Sequence, residues 1–127
     1  MLTAYTDGSF RNEKGGYGVV IVKEEKEIKR LSGPLPKGMK ATNQRAEIIA
    51  IIAALHLTKK EKELLICTDS QYCIKCLTKE WKIKTNNDLF DTAFELMKDR
   101  KIQFKHIYSH TGDTYNEIVD KLAKEWT

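Results

Sequence analysis

Residues 2–7 alternate between apolar and polar side chains, the period of a half-buried strand. The stretch from Gly8 to Gly16 (Gly8-Ser9-Phe10-Arg11-Asn12-Glu13-Lys14-Gly15-Gly16) reads as turn-rich, so Asp7 is expected to end that strand. A β-branched run from Tyr17 to Val22 predicts a second strand. The charged turn Lys23-Glu24-Glu25-Lys26 leads to a third near Glu27–Ser32, closed off by Pro34 and Pro36. The period then changes. Ile48, Ile51, Ile52 and Leu55 recur at i, i+3, i+4 and i+7, which predicts a helix over Thr42–Leu57 with Thr42 or Asn43 as its cap.

Lys59-Lys60-Glu61-Lys62 reads as a solvated loop, and Leu64–Thr68 as a short apolar strand with a helix opening near Ser70. A helix over Asn87–Lys98, a strand over Ile102–Tyr108 and a helix over Asn116–Trp126 complete the chain. Val119, Leu122, Ala123 and Trp126 supply the apolar stripe of the last helix. This order predicts an α/β protein: a five-stranded mixed sheet, three strands antiparallel and two parallel, flanked by helices. Ligands of such sheets sit at the carboxyl ends of the strands.

Composition narrows the class without naming a function. The 127 residues suit a single domain over 1–127, with 41% hydrophobic and 31% charged side chains. No apolar run approaches the roughly 20 residues of a membrane span. The start, Met1 to Asp7, has neither the basic opening nor the apolar middle of a signal peptide. Three cysteines form no evident disulfide framework, so a cytoplasmic protein is expected. Cys73-Ile74-Lys75-Cys76 has redox or zinc spacing, but no second ligand pair is evident and packing on a helix face is the expectation. The net charge of +4 permits a polyanionic partner. Lys75, Lys79, Lys82 and Lys84 concentrate that charge in one short stretch against Glu80 alone.

Four acids stand where a merely soluble fold would not put them. Asp7 and Asp69 lie at strand carboxyl ends, Glu47 borders the Ile48–Leu55 stripe, and Asp120 lies between Val119 and Leu122, on the expected buried side of the last helix. Each alone is more simply a turn, a cap or a helix-edge charge. Together they would repel one another and raise each other's pKa, a situation a divalent cation relieves.

Four blocks then carry a resemblance: Tyr5-Thr6-Asp7-Gly8-Ser9, Thr42-Asn43-Gln44-Arg45-Ala46-Glu47, Thr68-Asp69-Ser70-Gln71-Tyr72, and His110-Thr111-Gly112 with Asn116 to Ala123. In this order and spacing the chain resembles the ribonuclease H type 1 family over essentially its whole length. The resemblance implies a ribonuclease H-like fold and cleavage of the RNA strand of RNA–DNA hybrids, leaving 5′-phosphate and 3′-hydroxyl ends. It implies that Asp7, Glu47, Asp69 and Asp120 hold two Mg²⁺ ions, with Mn²⁺ as an alternative; such a pair activates water and stabilises the departing oxygen. By the same likeness His110 relays a proton or aids product release.

Asn43 and Gln44, with Gly8, Ser9 and Ser70, would read the RNA strand, whose 2′-hydroxyls mark it. Lys40, Thr42 and Asn87 match a pocket for a DNA phosphate, and Tyr72 and Trp81 an aromatic surface for the DNA strand. His56 and His106 receive no role. The long basic protrusion of several relatives is essentially missing, since only Lys79-Glu80-Trp81-Lys82-Ile83-Lys84 precedes Thr85. Weaker, more salt-sensitive hybrid binding is therefore expected. A monomer without membrane association or an obligate protein partner completes the expectation. A DNA-cutting relative would have no 2′-hydroxyl for Asn43 and Gln44 to read. A pure binding module would gain nothing from clustered acids facing phosphates.

Overall fold

The structure is a computed structural model that describes residues 1–108 and 114–127. In chain order its elements are β1 (Leu2–Arg11), β2 (Lys14–Lys23), β3 (Lys26–Pro34), α1 (Asn43–Leu57), β4 (Glu63–Thr68), α2 (Gln71–Leu77), α3 (Asn87–Met97), β5 (Lys101–His106) and α4 (Thr114–Lys124). One five-stranded sheet runs β3-β2-β1-β4-β5. Its first three strands are antiparallel, and β1, β4 and β5 are parallel, as the pattern predicts.

β1 does not stop at Asp7. It continues to Arg11 through the glycine-rich stretch, and the turn shrinks to Asn12 and Glu13, with φ of 52° and 65°. Two consecutive left-handed residues give the turn whose twist matches flanking strands. Glu24 and Glu25, with φ of 51° and 67°, repeat this between β2 and β3. Gly16, read as a turn former, serves packing instead: a Cβ on it would lie 2.7 Å from the Ala123 carbonyl oxygen of α4.

Both faces of the sheet are covered, and β2 shows why. Val19 and Ile21 point into a core shared with Ile48, Ile51 and Leu55 of α1 and Phe90 of α3. Val20 and Val22 point the other way, onto Val119 and Leu122 of α4. Helix α1 is buried more broadly than its predicted stripe, since Ala46, Ala50 and Ala54 are also buried. It lies between the sheet and α3, so small residues are needed on the additional face. Thr42 caps it, its hydroxyl accepting from the Arg45 amide at 3.0 Å. Trp126 departs from expectation: it lies beyond α4 and is 40% exposed, with its Cβ side over Gly16.

Among the described glycines the tightest approach is between β1 and α1. A Cβ on Gly8 would sit 2.2 Å from the Ala46 carbonyl carbon, backbone against backbone. Gly8→Ala should therefore push α1 off the strand, at an overpacking cost of roughly 1–3 kcal/mol. Urea unfolding measures it; an unchanged midpoint would show that strand and helix have room to spare at this point.

Candidate active site

The parallel register brings two of the four acids together. The last residues paired between β1 and β4 are Tyr5 and Cys67. Asp7 and Asp69 each follow two residues later, beyond the carboxyl end of that ladder. Asp7 itself is inside β1, opposite Gly18 of β2, rather than at a strand end. Glu47 enters from the second turn of α1, directly after the Ala46 that abuts Gly8. The Gly8 amide donates to Asp7 Oδ1 at 3.0 Å and also to Glu47 Oε1. One carboxylate oxygen from each of Asp7, Glu47 and Asp69 lies within 4.8 Å of the others.

That crowding has an electrostatic signature. Burial, with the nearby Asp69 and Asp120 carboxyls, pushes the Asp7 carboxyl up to about 7, against a lowering hydrogen bond with Glu47. Burial first, then Asp7 and Asp69, raise Glu47 well above the usual carboxylate range. Among the described residues no lysine or arginine pairs with Asp7 or Glu47. Clustered hard oxygen donors fit a divalent cation such as Mg²⁺.

Asp120 borders this group rather than closing it. It stands against Asp7, whose pKa it raises, while its Oδ2 pairs with Lys124 Nζ at 3.0 Å. Its side chain is half exposed, not on the buried side of α4 as the periodicity suggested. His110 lies outside the described residues. His106 sits closer to the acids than its strand position implied, its Nε2 3.2 Å from the Asp69 carbonyl oxygen and its ring edge-on to Tyr108. Cys73 and Cys76 are buried in the main core, and burial pushes the Cys73 thiol up to about 12. A thiol so held is protonated and packs as a small apolar group.

A groove lined largely by polar side chains runs past the start of α1. Lys40, Thr42, Gln44 and Asn86 line a cavity of about 450 Å³. Gln44 also lines a neighbouring one of about 650 Å³ with Tyr72, Trp81, Lys82 and Lys84. The Asn43 Oδ1 accepts from the Phe10 amide at 3.0 Å, tying α1 to β1 beside Ser9. Ser70 caps α2, accepting from the Cys73 amide at 3.2 Å.

Asn87 is exposed at the first position of α3. Its neighbour Asn86 lines the cavity, with φ of 61°, a left-handed turn that asparagine tolerates. Arg45 was missed by sequence reasoning. It donates to Asn86 Oδ1 at 3.0 Å and forks onto both Asp88 oxygens, while Asn86 Nδ2 donates to the Tyr72 hydroxyl.

A mixed sheet with acids beyond its parallel ladder, beside a polar and basic groove, defines a carboxylate-centred enzyme of the ribonuclease H-like class. A family model described as RNase H matches residues 1–127, and the chain belongs to that family. It is similar to a ribonuclease HI of Synechocystis sp., 33% identical over 139 aligned positions that cover 96% of this chain and 84% of that protein. The RNase H1 of the halophilic archaeon Halobacterium salinarum matches with TM-score 0.81 and 28% identity, over 98% of this chain and 95% of that one. LC11-RNase H1, solved in complex with an RNA/DNA hybrid, shares the fold with TM-score 0.85 at 24% identity, over 99% of this chain and 96% of that one.

The raised Asp7 pKa fixes a direction for stability. Between an unfolded value near 4 and the folded value of about 7, the native state holds the extra proton. Its contribution is complete below the unfolded value and is lost as pH rises through about 7. The metal-free melting temperature should therefore fall between pH 5 and pH 8. Added Mg²⁺ or the Asp7→Asn substitution should flatten that fall, as differential scanning fluorimetry would show. A metal-free profile that rises over this range would contradict the assignment.

Proposed function

We propose that this protein hydrolyses the RNA strand of RNA–DNA hybrids and leaves 5′-phosphate and 3′-hydroxyl ends. The observation that carries the reading is the grouping of Asp7, Glu47 and Asp69, with Glu47 one turn along α1 from Gln44, which lines a cavity with Lys40 and Thr42. Asp7, Glu47 and Asp69, joined by Asp120, would hold Mg²⁺ or Mn²⁺. Two such ions, when bound, neutralise the clustered charge and activate water at the scissile phosphate.

The remaining chemistry belongs to the chain. The Gly8 amide orients Asp7 and Glu47, because both accept from it. Asn43 is oriented by its bond from Phe10, which occupies the amide oxygen and leaves its NH₂ to donate toward the RNA sugar edge. Gln44 is exposed one turn before Glu47, so recognition of RNA and the acid group share one rigid helix. Thr42 accepts from the Arg45 amide, but its hydroxyl proton stays available to a phosphate oxygen beside Lys40 and Asn86. His110 is assigned proton relay or product release from its motif. Family membership and the hybrid seen with LC11-RNase H1 support the substrate.

Labelling either strand of a hybrid tests this directly. RNA-strand cleavage should require Mg²⁺, stop with chelator, and be abolished by Asp69→Asn. Scission of the DNA strand, or binding without cleavage, would exclude the reading.

The basic stretch makes a second prediction. Lys75 pairs with Glu80 at 3.2 Å and Lys79 lies over the Phe94 ring, so Lys82 and Lys84 are left to line the groove. Each lysine that neutralises a phosphate adds about 0.9 to the slope of log affinity against log salt, the value for duplex DNA. Lys82→Ala with Lys84→Ala should then lower the slope by nearly 2. An unchanged slope would remove these lysines from the interface.

A further inference from the structure

The inner face of β5 ends on a histidine. Ile102, Phe104 and His106 alternate along the strand, each partly buried, while Lys101, Gln103 and Lys105 are exposed. Ile102 and Phe104 pack against the main core. A third apolar side chain would be the default at position 106, and a half-buried imidazole there needs a polar partner. Its Nε2 lies 3.2 Å from the Asp69 carbonyl oxygen. A carbonyl oxygen only accepts, so Nε2 carries the hydrogen and donates.

That bond falls on the short connection between β4 and α2, which consists of Asp69 and Ser70. The backbone is held on both sides of Asp69. Ahead of it, the Thr68 carbonyl oxygen accepts from the Ile107 amide at 2.9 Å. After it, the peptide unit joining Asp69 to Ser70 is gripped at both ends. Its carbonyl oxygen accepts from His106, and its N–H donates to Thr68 Oγ1 at 3.1 Å. Two soft dihedrals separate successive peptide planes, so fixing both planes fixes the direction of the Cα–Cβ bond between them. Of the three grouped acids, Asp7 is set by β1 and Glu47 by α1, whereas Asp69 stands outside regular secondary structure. Its aim relies on tethers. The His106 ring is in turn braced edge-on by Tyr108, with centroids 4.6 Å apart.

We propose that His106 is a positioning residue for the cation site: by holding the Asp69–Ser70 peptide, it keeps the Asp69 carboxylate aimed at the point that Asp7 and Glu47 share. This rests on the reading of those acids as the seat of Mg²⁺ or Mn²⁺. His106 acts through Asp69 rather than as a ligand, and its effect is on cation affinity before substrate arrives. Groups that orient a metal ligand are worth about tenfold or more in metal affinity.

Calorimetric titration of Mn²⁺ into the full chain, without hybrid, tests this. His106→Phe keeps a ring against Tyr108 but loses the donor, and Mn²⁺ affinity should fall about tenfold. His106→Gln places an N–H donor about as far out as the imidazole Nε2 and should restore the affinity. His106→Asn is one bond shorter and should not. A ring that merely filled space would give the opposite order, with Phe tolerated best and Gln worst. Hybrid cleavage by His106→Phe should need about tenfold more Mg²⁺ for half-maximal rate, with KM for the hybrid at saturating Mg²⁺ unchanged. Circular dichroism checks that each variant is folded, and the comparison of Gln with Asn carries the test should Phe not fold. Equal Mn²⁺ affinity in His106→Phe and the unaltered chain, or in the Gln and Asn variants, would overturn the proposal and leave the metal reading standing. Absence of Mn²⁺ binding by the unaltered chain would overturn that reading and this inference with it.

Discussion

The structure depends on one close contact: the backbone of β1 at Gly8 against the backbone of α1 at Ala46. Carboxylates repel, so they gather only where rigid elements hold them. The register that pairs Tyr5 with Cys67 sets Asp7 near Asp69, and the side-chain-free Gly8 lets α1 bring Glu47 to the same place. The Gly8 amide then accounts for two of the acids at once. Removing any of these three features would separate the oxygens, and with them the affinity for a cation.

The same contact aligns the rest of the site. Because α1 is seated by Gly8, the side chains on its first turn have fixed positions relative to Glu47. Asn43 reaches back to β1, Gln44 faces both cavities, and Arg45 holds Asn86 across the groove. The Arg45 side chain is mostly buried and forks onto Asp88, so Asn86 is held by a rigid partner despite its left-handed backbone. A helix buried between sheet and α3 transmits position well, since packed interiors yield little to local strain.

Much of this was legible in the residues, for reasons that differ by element. Alternation, β-branched and apolar runs and the 3.6 period located the strands and the long helices, because each element buries a defined set of side chains. Glycine misled the reading of β1. It marks turns and close approaches alike, and only the partner helix decides between them. Asp7 still falls beside Asp69, because its two-residue offset from the parallel ladder survives the longer strand. Asn86 and Asn87 were indistinguishable without the backbone angle, and Arg45 was masked by the helix pattern around it. Asp120 showed the limit of periodicity, which gives a direction around a helix but not how far a side chain stands from the sheet or which cation, here Lys124, it meets.

Charge placement connects the two ends of the molecule. A site that gathers acids repels a polyanionic substrate, so the attraction must come from neighbours far enough away not to pair with those acids. Lys40, Lys82 and Lys84 meet that condition: they line the groove, and among the described residues none bridges to Asp7, Glu47 or Asp69. The distant lysines at Lys29, Lys59 and Lys60 contribute less to the groove, because fields beyond about 8–10 Å are screened at physiological salt. Their charge acts locally, on whatever approaches the α1 C-terminus, where Arg100 has already satisfied the helix carbonyls. Two basic surfaces, one at each end of α1, can therefore each be altered without changing the other.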